Sequence, residues 1–265
     1  MPENASVDGA EIRQRLLQIE ESALPVAPRR RIGSGYQLLF LGLLLIAAQC
    51  GFFVYLAFPL AYIPILMGHW IAGAKTVPTV IQASNTDAFK YLGVVVAEWL
   101  EFGGVWFIVR SGVRPRDLIG LAQSRKWLLI EVGFGIGLGV VEASYSVLPI
   151  LLRNTHPHIN LPRLPGDAIL AIAASLSAGV VEEIIYRGYL QRLMTAVVGN
   201  VWVAIVLQAE AFGLAHQYQG GHAVAIIAIQ SLVTGYVAYR LKNLRVVIVA
   251  HVTLDAIVSL TGFMF

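Results

Sequence analysis

Seven stretches of the chain are apolar over most of their length, at roughly 38–66, 89–109, 127–152, 168–197, 201–216, 222–239 and 246–263. A bilayer's hydrocarbon core takes about 20 apolar residues to cross as a helix, so these stretches predict membrane spans. Pro59 and Pro64 predict an early end or a kink in the first, because proline removes an intrahelical hydrogen bond. The fifth is short enough to be partly re-entrant. The pattern predicts an all-α, polytopic membrane helix bundle of seven or eight transmembrane helices. Polar loops of some length fall at 67–88 and 153–166, and no internal repeat is visible. Residues 1–36 are polar and mixed in charge, with no apolar core, so they are not a signal peptide. Ile12, Leu16 and Ile19 share one helical face there, which fits an amphipathic helix on the membrane surface; a mobile tail is the plainer alternative. The chain thus divides into an N-terminal tail, 1–36, and a transmembrane domain, 37–265.

Composition reinforces this reading. Only 13% of the 265 residues are charged, 57% are hydrophobic, and the mean hydropathy is +0.70. A soluble domain carries about a quarter charged residues. A single cysteine, Cys50, lies in an apolar run and cannot form an intramolecular disulfide. The net charge is +3, and its placement says more than its size. If the spans alternate, fourteen Lys and Arg fall on the side of the N-terminus, against Lys75, Arg153 and Arg163 on the other. That bias predicts a cytoplasmic N-terminus in the cell's plasma or inner membrane, an odd number of spans and a C-terminus outside.

Against that background, "GVVEEIIYRGYL" at 179–190 stands out. An ionisable group at membrane depth costs on the order of 2.5–3.5 kcal/mol on insertion, so each needs a reason. Glu183 and Arg187 are four apart, about 40° around a helix, and can pair. Glu182 lies about 140° from Arg187 and needs another partner. Two further clusters could supply it. The fifth span ends "AFGLAH", setting Phe212 and His216 one turn apart; the seventh contains "AHVTLDAI", setting His251 and Asp255 one turn apart. A desolvated carboxylate is a stronger base, and imidazoles donate to an oxyanion, shuttle protons or bind metal. These are enough parts for amide hydrolysis.

The order E-E-x-x-x-R, F-x-x-x-H, H-x-x-x-D on successive apolar helices resembles the CAAX-protease and bacteriocin-processing family, also called CPBP or Abi. These are intramembrane endopeptidases related to the Ras-converting CAAX prenyl endopeptidase. The resemblance covers roughly 167–260 and is carried by Glu182, Glu183, Arg187, Phe212, His216, His251 and Asp255. It implies that Glu182 with His216 activates the attacking water. It further implies that His251 and position 255 stabilise the oxyanion, and that Glu183 and Arg187 hold the site together. The prenyl-protease branch carries Asn at the last position, where this chain has Asp255. An ionised Asp only accepts hydrogen bonds, so Asp255 either carries a proton or orients His251. The implied substrate is a membrane-tethered peptide or protein, with prenylated CAAX-like peptides among the candidates. No nucleic-acid partner is expected.

Other readings compete. An ion pair plus a water-facing residue would account for Glu182, Glu183 and Arg187 alone, though less well beside the histidines. Phe212 reads as a packing neighbour that shapes the site. Glu98, Glu101, Glu142 and Glu210 read as interhelical hydrogen-bonding groups or cavity wall, and they keep a proton-coupled transporter open. His222 reads as interfacial, and His156 and His158 as loop residues. A catalytically silent scaffold or bacteriocin-immunity protein is the third alternative. No H-E-x-x-H is present, Cys50 has no evident base, and Ser175 and Ser177 lack a G-x-S-x-G setting. The preferred mechanism needs no cofactor; zinc on Glu182, His216 and His251 is the metal-dependent alternative.

Overall fold

The computed structural model describes residues 39–45, 52–71, 87–109, 115–120, 124–152 and 165–261. The N-terminal tail, Cys50 and the loop bearing His156 and His158 lie outside the described residues. Every described element is helical: residues 39–45, then α1 (Phe52–Ile71), α2 (Asp87–Val109), α3 (Pro115–Ile119), α4 (Arg125–Leu152) and α5 (Pro165–Glu183). A π-helical segment (Ile184–Leu190) follows α5 and leads into α6 (Gln191–Val198), α7 (Val201–Ala215), a 3-10 turn (Gln217–Gln219), α8 (Gly221–Leu241) and α9 (Arg245–Thr261). By length and apolar composition, three described segments could cross a membrane: Arg125–Ser146, Pro165–Val198 and Gly221–Leu241. The fold class is the expected all-α membrane bundle. α1 runs through Pro59 and Pro64 to Ile71, past the early end anticipated there. Prolines are tolerated inside membrane helices where neighbours take up the freed backbone groups.

Helix ends follow local chemistry. Pro165, the first residue of α5, has the fixed φ that suits a helix start. Gly199 closes α6 at φ +75°, a left-handed conformation open to glycine. Asn200 then caps α7, its Oδ1 accepting from the backbone N–H of Trp202 at 2.9 Å and Val203 at 3.3 Å. α7 has 15 residues, about 22 Å, and so falls short of a full bilayer crossing.

α9 packs against α4 and α5, α7 against α8, and α2 against both α5 and α1. Contact between α9 and its neighbours is close because small residues face it. A Cβ added at Gly139 of α4 would fall on the Ala250 carbonyl, and one at Gly179 of α5 would sit 2.5 Å from Val252 Cγ2. Gly179 lies one turn before Glu182 and Glu183, so that approach brings both carboxyls to α9. At the α8–α9 turn, Arg245 donates from Nε and Nη2 to Glu131 of α4 at 2.6 and 2.7 Å, and from Nη1 to the Ile119 carbonyl at 3.2 Å. This fork-shaped clamp fixes the start of α9 relative to α3 and α4. All seven residues of the π segment are buried, within an apolar cluster that includes Val181, Phe212, Val247, Leu118 and Val105. The widened turn therefore sits in the middle of the packed region.

Candidate active site

Glu182 and Glu183 close α5, and Arg187 sits in the π turn that follows. Such turns are rare and occur often at functional sites. Arg187 Nη1 donates to Glu183 Oε1 at 2.8 Å, with both side chains almost fully buried. Nη2 donates to Ser231 Oγ at 2.9 Å and Thr234 Oγ1 at 2.7 Å on α8. The guanidinium carbon lies 4.4 Å from the centroid of the Phe212 ring, over its face.

From α9, His251 reaches the same point. Its Nδ1 lies 2.9 Å from Glu183 Oε1. Since that oxygen already accepts from Arg187, it also accepts from His251, so Nδ1 carries the hydrogen. Nε2 then faces Glu182 Oε2 at 3.6 Å and Asp255 Oδ2 at 3.5 Å. His216 ends α7, where the helix geometry stops, and its Nδ1 lies 2.9 Å from the Phe212 carbonyl. A carbonyl only accepts, so Nδ1–H donates there, and in the neutral ring Nε2 is left with a lone pair. Among the described residues no direct bond joins His216 to Glu182. The link runs through Phe212, whose ring centroid is 4.8 Å from that of His216 and 5.9 Å from that of His251.

The motif residues of α5, α7 and α9 thus come together, with His251 at the centre. Glu183 is more than the partner of Arg187, because it also holds His251. Reasoning from helix spacing missed that, since the contact depends on how α5 and α9 pack. Glu98 and Glu101 of α2 lie within electrostatic range of Glu182. Glu142 of α4 is buried near His251, Glu183 and Arg187. These three carboxyls read as cavity wall in the sequence; their clustering about Glu182 and His251 needed the fold. Ser231, Thr234 and Gln208 had no signal at all, since hydroxyls and amides are unremarkable in membrane helices. Among the described residues no group of three or more His, Cys, Asp or Glu is arranged to hold a metal ion.

Residues 164–257 match the family model described as type II CAAX prenyl endopeptidase Rce1-like. Over that region the chain is similar to this family. The Rce1-like region begins as α5 begins and ends in α9, so it takes in every motif residue described above. The family is one of membrane proteases that act on membrane-associated substrates, and the long apolar helices agree with a place in a membrane. No curated protein and no solved structure matches the chain.

Proposed function

We propose that this protein is an intramembrane endopeptidase that cleaves a membrane-tethered peptide with a water activated by Glu182. The observation that carries the reading is the meeting of Glu182, Glu183 and Asp255 on the single imidazole of His251. In this scheme the Glu182 carboxylate, helped by the free Nε2 of His216, takes a proton from water as the oxygen attacks the scissile carbonyl carbon. The carbonyl oxygen becomes an oxyanion and accepts hydrogen bonds from His251 Nε2–H and from protonated Asp255. When the C–N bond breaks, the amine leaves with the proton held by Glu182. Glu183 accepts the Nδ1 hydrogen and fixes the ring, so His251 donates from Nε2 as the imidazolium, balanced by that buried carboxylate as the histidine of a Ser-His-Asp triad is. By the charge bias of the loops, the N-terminus faces the cytoplasm of a plasma or inner membrane. His251 lies six residues into α9, about 9 Å from its cytoplasmic end, which suits a peptide entering from that side.

The test uses purified protein in liposomes with a membrane-tethered peptide, prenylated or acylated. Cleavage by the wild type and its loss in Glu182→Ala support the reading. Proton flux without cleavage would favour the transporter suggested by the carboxyls around Glu182. Cleavage that stops under a chelator and returns with zinc would make Glu182 and the histidines metal ligands instead.

A further inference from the structure

Arg187 has two ways to meet Glu183. An isolated guanidinium–carboxylate pair favours the two-pronged form, with two parallel N–H···O bonds. Here the bond is single, because Nη2 is turned away and occupied by α8. It donates to Ser231 Oγ at 2.9 Å and Thr234 Oγ1 at 2.7 Å. Ser231 is fully buried and also accepts from Gln208 Nε2 of α7 at 2.6 Å. Thr234 Oγ1 passes its own hydrogen to the Gln230 carbonyl at 3.1 Å, so its lone pairs stay available to the arginine. With Nη2 held this way, Glu183 Oε1 receives Nη1 from one side and His251 Nδ1 from the other, at 2.8 and 2.9 Å. A second prong from Nη2 would draw the carboxylate onto the guanidinium and away from the imidazole.

We propose that Ser231 and Thr234, backed by Gln208, are positioning residues that hold Arg187 to a single bond with Glu183 and so keep the Glu183 carboxylate on His251 Nδ1. None of the three belongs to the E-E-x-x-x-R, F-x-x-x-H or H-x-x-x-D patterns. Their effect on turnover rests on the reading of His251 as part of the active site; their effect on the His251 hydrogen bond does not.

The experiment is proton NMR of histidine-labelled protein in micelles, alongside turnover of the tethered peptide. In the wild type the Nδ1–H of His251 bonds a carboxylate and gives a downfield resonance, assigned by its loss in His251→Gln. In Ser231→Ala/Thr234→Val the resonance is lost, and kcat falls roughly 10- to 100-fold at unchanged KM, the scale seen for partners that orient a working histidine. Thr234→Ser restores the hydroxyl and keeps both readouts. If the double variant does not fold, Thr234→Val alone, which removes half of the hold on Nη2, is read in the same way. A variant that lowers the melting temperature but keeps the His251 resonance overturns the proposal, as does one with wild-type resonance and kcat. A wild type that cleaves nothing removes the protease reading, while the resonance still decides whether Ser231 and Thr234 keep Glu183 on His251 Nδ1.

Discussion

Two adjacent glutamates one residue apart in sequence meet different surroundings, and substitution should separate them. Glu182→Gln preserves shape and removes the base, so turnover is expected to fall about 10²–10⁴-fold, with thermal unfolding unchanged. Glu183→Gln leaves Arg187 buried without its counter-charge, a loss of about 3–5 kcal/mol that denaturation will register. Helix spacing alone assigns Glu183 to stability. Its bond to His251 Nδ1 at 2.9 Å adds a loss of turnover in whatever fraction still folds. Asp255 can be tested by pH. Glu183 already bonds His251, so the proposed reading has Asp255 donate to the oxyanion, and a carboxyl donates only when protonated. Activity should therefore decline as pH rises, and Asp255→Asn, which donates at any pH, should keep activity and flatten that decline. Poor activity of a folded Asp255→Asn at every pH would return Asp255 to an orienting role.

Among the elements, α5 and α9 matter most, because their contact brings the carboxyls to the imidazole. Gly179 sets how close they come. A methyl there would meet Val252 Cγ2 at 2.5 Å and the Val252 backbone nitrogen at 3.0 Å, so Gly179→Ala must push the helices apart. Overpacking of this kind costs about 1–3 kcal/mol, and here it should also lower kcat by widening the gap between Glu182 and His251. Val252→Ala removes the side-chain half of the clash, so the double variant should recover part of both losses, as equilibrium unfolding and turnover will measure. Much of this level could be read from the chain. The apolar runs gave α4, α7, α8 and α9 to within a few residues, since a membrane span is set by composition. The π segment could not be read, because "EEIIYRGYL" has ordinary helical periodicity. The polar contacts of α8 were hidden for a related reason: Ser231 and Thr234 acquire a role only when α8 lies beside the arginine.

At the scale of the whole molecule, the charge pattern makes a claim that the helices alone do not. Arg240, Lys242 and Arg245 place the α8–α9 turn on the basic side with the N-terminus, and the 3-10 turn after α7 on the opposite side. Cysteine introduced at Asn243 in a Cys50→Ser background should react with an impermeant thiol reagent from the cytoplasmic face only. Cysteine at Gln219 should react only from outside. Reversed labelling would put the site at the other end of the bundle from the substrates proposed here. The all-α membrane class was legible because span-length apolar runs are set by composition, and the ordered motifs because ionisable groups are costly in a bilayer. The carboxyls of α2 and α4 were equally visible, yet their placement around Glu182 and His251 is tertiary and no spacing could give it. The central claim, that Glu182 is the base, rests on one comparison: single-turnover cleavage of a membrane-tethered peptide by purified wild type and Glu182→Gln in the same liposomes. The account predicts a rate at least about 10²-fold lower in the variant with an unchanged melting profile. Equal rates in two equally folded proteins would contradict it.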